Sequence, residues 1–289
     1  MKSLPVYSLR DFRKFSQQDA FYASPLKIHV RNHDFTNKPH KHDFFVFALF
    51  ISGKGTHEID FKKYTVQPGS LFLMRPGQMH NWDLSPDCDG YIFFHTRNFY
   101  DEGFTLERLN DYPFYASLYS SPLILLKGKP YAAIRGFLKE ITEEYQKNER
   151  LKHQKLHALV NLVYIEVTRL HKFAEEPGKE SYLNKLKTFE DLIDRHFKEL
   201  KSARDYAALM HISEKHLNRI SKTTLRKTST ELISERVILE AKRMLIHAGL
   251  NVTEIAYKLG FKDNSYFNRF FKKHCGETPL GFLNKYKNE

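Results

Sequence analysis

Ala207–Leu232, AALMHISEKHLNRISKTTLRKTSTEL, and Ala256–Phe282, AYKLGFKDNSYFNRFFKKHCGETPLGF, are two versions of one segment. Ala207 aligns with Ala256, Met210 with Leu259 and Ile212 with Phe261. After one inserted residue, Leu217 aligns with Phe267, Asn218 with Asn268, Arg219 with Arg269 and Lys222 with Lys272. A repeat of this length means two copies of one supersecondary unit. Each copy reads as two short helices joined by a tight turn, the second with polar and basic side chains on one face.

In the first copy, Ser202 is the expected N-cap, with Asp205 three residues on in the capping-box position. That helix ends near His211, and Ser213 caps the next, Lys215 to Thr224. Leu217 and Ile220 face inward, which turns Lys215, Asn218, Arg219 and Lys222 outward together. In the second copy Val252 opens the first helix, Gly260 closes it, and Asp263 or Asn264 caps the next. Phe267, Phe270 and Phe271 supply buried bulk there, and Asn264, Ser265, Asn268, Arg269 and Lys272 supply the outward face. Asn and Arg can bond bidentately to adenine and guanine edges, whereas Lys mostly meets phosphate. One helix, Glu231 to His247, joins the copies and would hold two reading helices at the spacing of successive major grooves, about 34 Å. Another amphipathic helix, Leu186 to Leu200, precedes them.

The chain has 289 residues, enough for two domains, and 41% of them are hydrophobic. Its formal charge of +12 is uneven: from Lys185 onward there are 21 Lys+Arg against 13 Asp+Glu, a net +8. A basic surface of this kind suits a polyanion, because phosphate contacts release condensed counterions; a solvated Lys-rich face is the other reading. Cys88 and Cys275 are the only cysteines, which points to reduced thiols rather than a disulfide framework or zinc site. MKSLPVYSLRDFRKF at the N-terminus has no apolar signal region, and no stretch reaches membrane-spanning length. The expectation is a soluble cytoplasmic chain with no membrane association.

The first half reads as β-structure. Phe44 to Ile51, His57 to Phe61, Ser70 to Met74 and Tyr91 to His95 are short runs separated by Gly and Pro, which predicts an antiparallel barrel or sandwich over about 25–100. From Tyr131 the period becomes helical through Ile134, Phe137, Leu138, Ile141 and Tyr145. A second helix follows through Leu156, Leu159, Val160, Val163, Val167 and Leu170. Its wide apolar stripe either packs on its own barrel or is shared with a second subunit, since Leu156, Val163 and Leu170 keep heptad spacing. AEEPGK at Ala174 to Lys179 breaks this pattern. The predicted organisation is α+β and multidomain: 1–175 as barrel plus helices (about 131–173), 176–185 as linker, and 186–289 as an all-α domain with two helix-turn-helix units joined by a long helix.

ILEAKRMLIHAGLNVTEIAYKLGFKDNSYFNRFFKKHCGETPLGF, ending in the Gly276-x-x-Pro279 motif, strongly resembles the C-terminal domain of AraC/XylS-type transcription regulators, and the resemblance covers about Leu186 to Tyr286. The first copy departs from that pattern at Arg226, where the second has Gly276, in a turn that usually needs a positive φ. The resemblance implies a sequence-specific DNA-binding regulator, usually an activator, with double-stranded DNA and RNA polymerase as partners. A small-molecule effector and a homodimer are further partners it allows.

Pro39-His40-Lys41-His42 and Pro76-Gly77-Gln78-Met79-His80 resemble the cupin-type barrel found at the N-terminus of many such regulators. In metal-binding cupins a Glu follows the His pair; here Asp43, Phe44, Phe45, Val46 and Phe47 follow. Three imidazoles can still hold Zn²⁺ or a similar ion, but the resemblance implies a sensory barrel, which mostly lacks a metal and whose mouth histidines commonly bind ligand polar groups or each other, so no metal or other cofactor is expected. His40, His42, His80, Trp82 and Tyr91 are the candidate effector-binding residues, with Trp82 equally readable as core filler. No catalytic residue is assigned. A cupin enzyme such as a metal-dependent dioxygenase or isomerase is the rival reading, and the missing Glu and complete repeat count against it. A nucleoid-type protein binding DNA without preference is a third.

Overall fold

Phe45 to Ile51 is apolar at every position, the pattern of a strand covered on both faces. The computed structural model describes residues 5–12, 20–33, 36–103, 109, 112–116, 121–170 and 179–288. The chain forms two units, Pro5–Phe173 and Ala174–Glu289. In the first, the described strands are β1 (Val6–Tyr7), β2 (Phe21–Pro25), β3 (His40–His42), β4 (Phe45–Ser52), β5 (Gly55–Ile59), β6 (Lys62–Val66), β7 (Ser70–Met74), β8 (Met79–Leu84), β9 (Asp89–His95) and β10 (Leu123–Leu125). They make two five-stranded sheets, ordered β1-β3-β8-β5-β6 and β10-β7-β4-β9-β2. All pairings are antiparallel except β1 with β3.

Strand parity sorts the apolar residues of β4 and its neighbours. Val46, Ala48, Phe50, Phe72, Met74, Ile92 and Phe94 face the other sheet and pack with its Ile59, Val66 and Trp82. Phe45, Phe47, Leu49, Leu71, Leu73 and Phe93 face the opposite way, onto helices. Those helices are α1 (Leu26–Asn32), α2 (Arg97–Gly103), α3 (Pro113–Ala116), α4 (Gly128–Gln146) and α5 (Lys152–Leu170), of which α2 to α5 contribute to the outer cluster. The apolar stripe of α5 is used inside the domain: Leu156 and Val163 are buried and Leu170 packs against the same cluster. Leu156 and Val163 of the heptad set are therefore filled from within their own chain, and Leu170 is partly buried.

The second unit is helical: α6 (Lys179–His196), α7 (Ala203–Leu209), α8 (Glu214–Leu225), α9 (Ser229–His247), α10 (Val252–Lys258), α11 (Asn264–Cys275) and α12 (Pro279–Asn288). The helix expected from Leu186 starts at Lys179 instead, so the second part of the expected 176–185 linker is helical; residues 171–178 lie outside the described residues. Ser202 and Ser213 cap α7 and α8, accepting from the backbone N–H groups of Asp205 and His216. At Ser202 the Asp205 carboxylate accepts a hydrogen bond from the Ser202 hydroxyl rather than returning to the cap backbone. Full capping boxes form at Thr228 with Glu231 and at Asn251 with Glu254, where the longer carboxylate reaches the backbone. Asp263 caps α11.

Among the described residues, no helix is long and apolar enough to cross a membrane.

Candidate nucleic-acid interface and effector site

The helices α8 and α11 cover equivalent residues of the two repeats, and the turns before them, closed by Ile212 and Phe261, match as well. Both end in a left-handed residue: Arg226 at φ 56 and Gly276 at φ 79. The turns after α7 and α10 also use positive φ, at His211 (53) and Gly260 (78). The first copy thus keeps the same turns without the glycines, so the departure at Arg226 changes strain and not shape.

Lys215, Arg219 and Lys222 are exposed on α8, and Ser265, Arg269 and Lys272 are exposed on α11. The asparagines behave differently. Asn218 is half-buried and its side-chain oxygen accepts from Ser229 N at 3.2 Å, holding the start of α9. Asn268 is half-buried and donates to the Asn264 backbone oxygen at 2.8 Å and its side-chain oxygen at 3.1 Å. These three asparagines are engaged in the fold, which leaves the arginines as the exposed bidentate groups. Tyr266, not among the residues expected to face outward, is 54% exposed beside Ser265; the signal was its place directly after Ser265 and two residues before Asn268, both expected on the outward face.

Contacts beyond α9 join the two repeats. Arg236 of α9 is only 13% exposed, bonds Asp194 of α6 at 2.6 Å and Glu240 at 3.1 Å, and lies 4.0 Å over the Phe197 ring. The segment after α6 then meets the second repeat, where the Lys201 ammonium stands 4.9 Å from the Phe261 ring centroid.

In the first unit, the inward face of the sheet β1-β3-β8-β5-β6 carries a group of histidines. His40 pairs across strands with His80, and His57 with Trp82. His42, His80 and His57 form a chain of buried imidazoles, with Nε2 to Nε2 at 2.7 Å and His80 Nδ1 to His57 Nε2 at 2.9 Å. His40 Nδ1 donates to the Lys38 carbonyl at 2.7 Å, which fixes its proton there and leaves Nε2 with the lone pair. Burial lowers all four, His40 to about 4, and neighbouring imidazoles lower His42, His57 and His80 further, so the group is uncharged at neutral pH. The Nδ1 atoms of His42 and His57 and the Trp82 Nε1 are buried without a partner.

The candidate effector residues His40, His42, His80 and Trp82 are thus brought together, and His57 joins them. Tyr91 is not: it packs with the outer cluster, because its parity on β9 matches Phe93 rather than Ile92. His95 also belongs to that side, stacked on Phe45 and bonded to the Tyr164 hydroxyl. One nitrogen from each of His40, His42 and His80 lies within 4.8 Å of the others. Three neutral imidazoles fit a borderline divalent ion with an open fourth position; Asp43, the nearest carboxylate in sequence, is exposed and does not complete the set.

Residues 24–160 match the family described as an AraC-like ligand binding domain, and residues 206–285 match a helix-turn-helix domain. The chain is an AraC-type DNA-binding transcription regulator. Like other AraC-type chains, it has a sheet-rich N-terminal domain followed by the helical DNA-binding domain. It is 22% identical over 265 residues to the transcriptional activator RhaS of Enterobacter sp. (strain 638), covering 89% of this chain and 91% of that one. It is 25% identical over 255 residues to the regulator YdeC of Bacillus subtilis (strain 168), covering 84% of each. Among solved structures it is similar to ToxT of Vibrio cholerae bound to an unsaturated fatty acid, at 15% identity, with 93% of this chain and 96% of that one covered and a TM-score of 0.44.

Proposed function

We propose that this AraC-type regulator activates transcription by placing α8 and α11 in successive major grooves of one operator. The reading rests on one observation: matching exposed sets, Lys215, Arg219 and Lys222 on α8 and Ser265, Arg269 and Lys272 on α11, presented by repeats that share helices and turns. The arginines read base edges. The lysines hold phosphates, and Asn218, Asn264 and Asn268 keep the reading helices in place. Activation involves contact with RNA polymerase, in keeping with the activators among its relatives. One chain spans two grooves by itself, and a homodimer, formed through surfaces other than the α5 stripe, doubles the site.

The effector is a compact polar molecule bound at His40, His42, His80 and Trp82, with His57 beside them. The unpartnered Trp82 N–H calls for an acceptor oxygen, and the unpartnered imidazole nitrogens provide a donor and an acceptor. A divalent ion held by His40, His42 and His80 would act as a Lewis acid toward such an oxygen. Binding must favour a DNA-competent arrangement, which requires unequal affinity for two states.

Selection of bound DNA from a random pool, with and without a metabolite extract, tests the reading. It predicts two half-sites centred about 10 base pairs apart and enrichment that changes with the extract. A single half-site, or no enrichment, contradicts it.

A further inference from the structure

The inward face of α6 begins a turn earlier than its deepest core contacts. Leu186, Phe189 and Ile193 are buried along it, and Phe189 meets Tyr206 of α7 edge-on at 5.6 Å. Tyr182 stands four residues before Leu186, hence on the same face. Past the edge of that core, its ring meets the first reading helix. The Arg219 guanidinium carbon lies 5.7 Å from the Tyr182 ring centroid, and the His216 ring lies at 6.0 Å. His216 Nε2, beside this contact, is buried without a partner. The two repeats differ here: among the described residues no ring lies over Arg269.

We propose that Tyr182 is a positioning residue for base reading by Arg219, although Tyr182 itself does not reach DNA. The proposal rests on the reading of Arg219 as a base contact. Recognition of guanine O6 and N7 requires the guanidinium plane in one orientation, and a long, exposed arginine must lose rotamer freedom to adopt it. A ring against the cation, attractive through its π face, restricts that freedom before DNA arrives. Base preference at one position of the operator therefore depends on the first turns of α6. Lys179, where α6 starts, is five residues past the unit boundary at Ala174, so this contact is also the part of the first reader nearest in sequence to the effector domain.

The test uses the full chain and four variants: Tyr182→Leu, Tyr182→Phe, Arg219→Ala and Tyr182→Leu with Arg219→Ala. Each competes a selected operator against the same operator altered at the base pair that Arg219→Ala identifies. Tyr182→Leu is expected to reduce the preference about 2- to 5-fold, the range of one exposed cation–π contact, while Tyr182→Phe keeps it. The double variant is expected to lose no more than Arg219→Ala alone, and the salt slope of Tyr182→Leu should be unchanged. Equal weakening on both DNAs, tighter binding by Tyr182→Leu, or no change while Arg219→Ala does relax preference would overturn the positioning role alone. If Arg219→Ala leaves preference intact, the reading of α8 fails first and the positioning role with it. Should Tyr182→Leu lose its helical circular dichroism, Tyr182→Gln is read by the same criteria.

Discussion

Gly260 lies against the carbonyl oxygen of Lys198, so closely that a Cβ on Gly260 would fall 1.8 Å from it. The segment joining α6 to α7 is thereby seated on the turn of the second repeat, and Lys201 over Phe261 reinforces it. This contact braces the two repeats in addition to α9, and on the proposed function it fixes the spacing of the two reading helices.

Gly260→Ala would meet both this clash and a positive φ of 78. Overpacking and backbone strain each cost about 1–3 kcal/mol, so a loss of about 3 kcal/mol is expected. Urea denaturation measures it, and a loss below about 1 kcal/mol would mean that the brace is soft.

Arg226 holds the left-handed position that Gly276 holds in the other repeat. Replacing it with glycine removes strain from the folded state but frees the unfolded chain, so Arg226→Gly is expected to stabilise by no more than about 1 kcal/mol. Gly276→Ala is expected to cost about the same amount, although nothing crowds its side-chain position. Opposite shifts in thermal midpoint would bear this out, and equal shifts would contradict it.

Arg236 joins α6 and α9 through Asp194 and Glu240. With the arginine nearly buried and its partners partly exposed, Arg236→Ala should cost about 2 kcal/mol, below the value for a fully buried pair. A double-mutant cycle with Asp194→Asn isolates the shared part, and a coupling energy near zero would show that the Phe197 contact matters more.

His40 and His95 are lowered to about 4 from 6.5, chiefly by burial. Below 6.5 the unfolded chain binds protons that the folded chain refuses. Their contribution is therefore complete above about pH 6.5, declines as the pH falls toward 4, and levels off below that. Each is worth at most roughly 3 kcal/mol. Denaturation midpoints that stay flat from pH 7 to 4.5 would contradict this.

Much of the DNA-binding unit is legible in the residues because it is local. Helical period, capping residues and the duplicated pattern each act within a few turns of chain, and α8 and α11 fall within a residue or two of where they are expected. Strand centres such as Ser70–Met74 are legible for the same reason. Short or polar strands, among them His40–His42, Lys62–Val66 and Met79–Leu84, are not, since their pairing is decided by distant partners. Tyr91 is misplaced because one residue of register decides which face it takes. The asparagines keep the expected outward period, but the bonds of Asn218 to the Ser229 backbone and of Asn268 to the Asn264 backbone are a competition that spacing does not reveal. His57 joins its neighbours only once β5 pairs with β8.

The claim that base reading is concentrated in exposed arginines is tested most directly by the affinity of Arg269→Ala for a selected operator and for random DNA of equal length. A loss of about 1–3 kcal/mol on the operator and little on random DNA is expected, with Lys272→Ala, measured alongside, weakening both and lowering the salt slope by about 1. An equal loss on both DNAs for Arg269→Ala would contradict it.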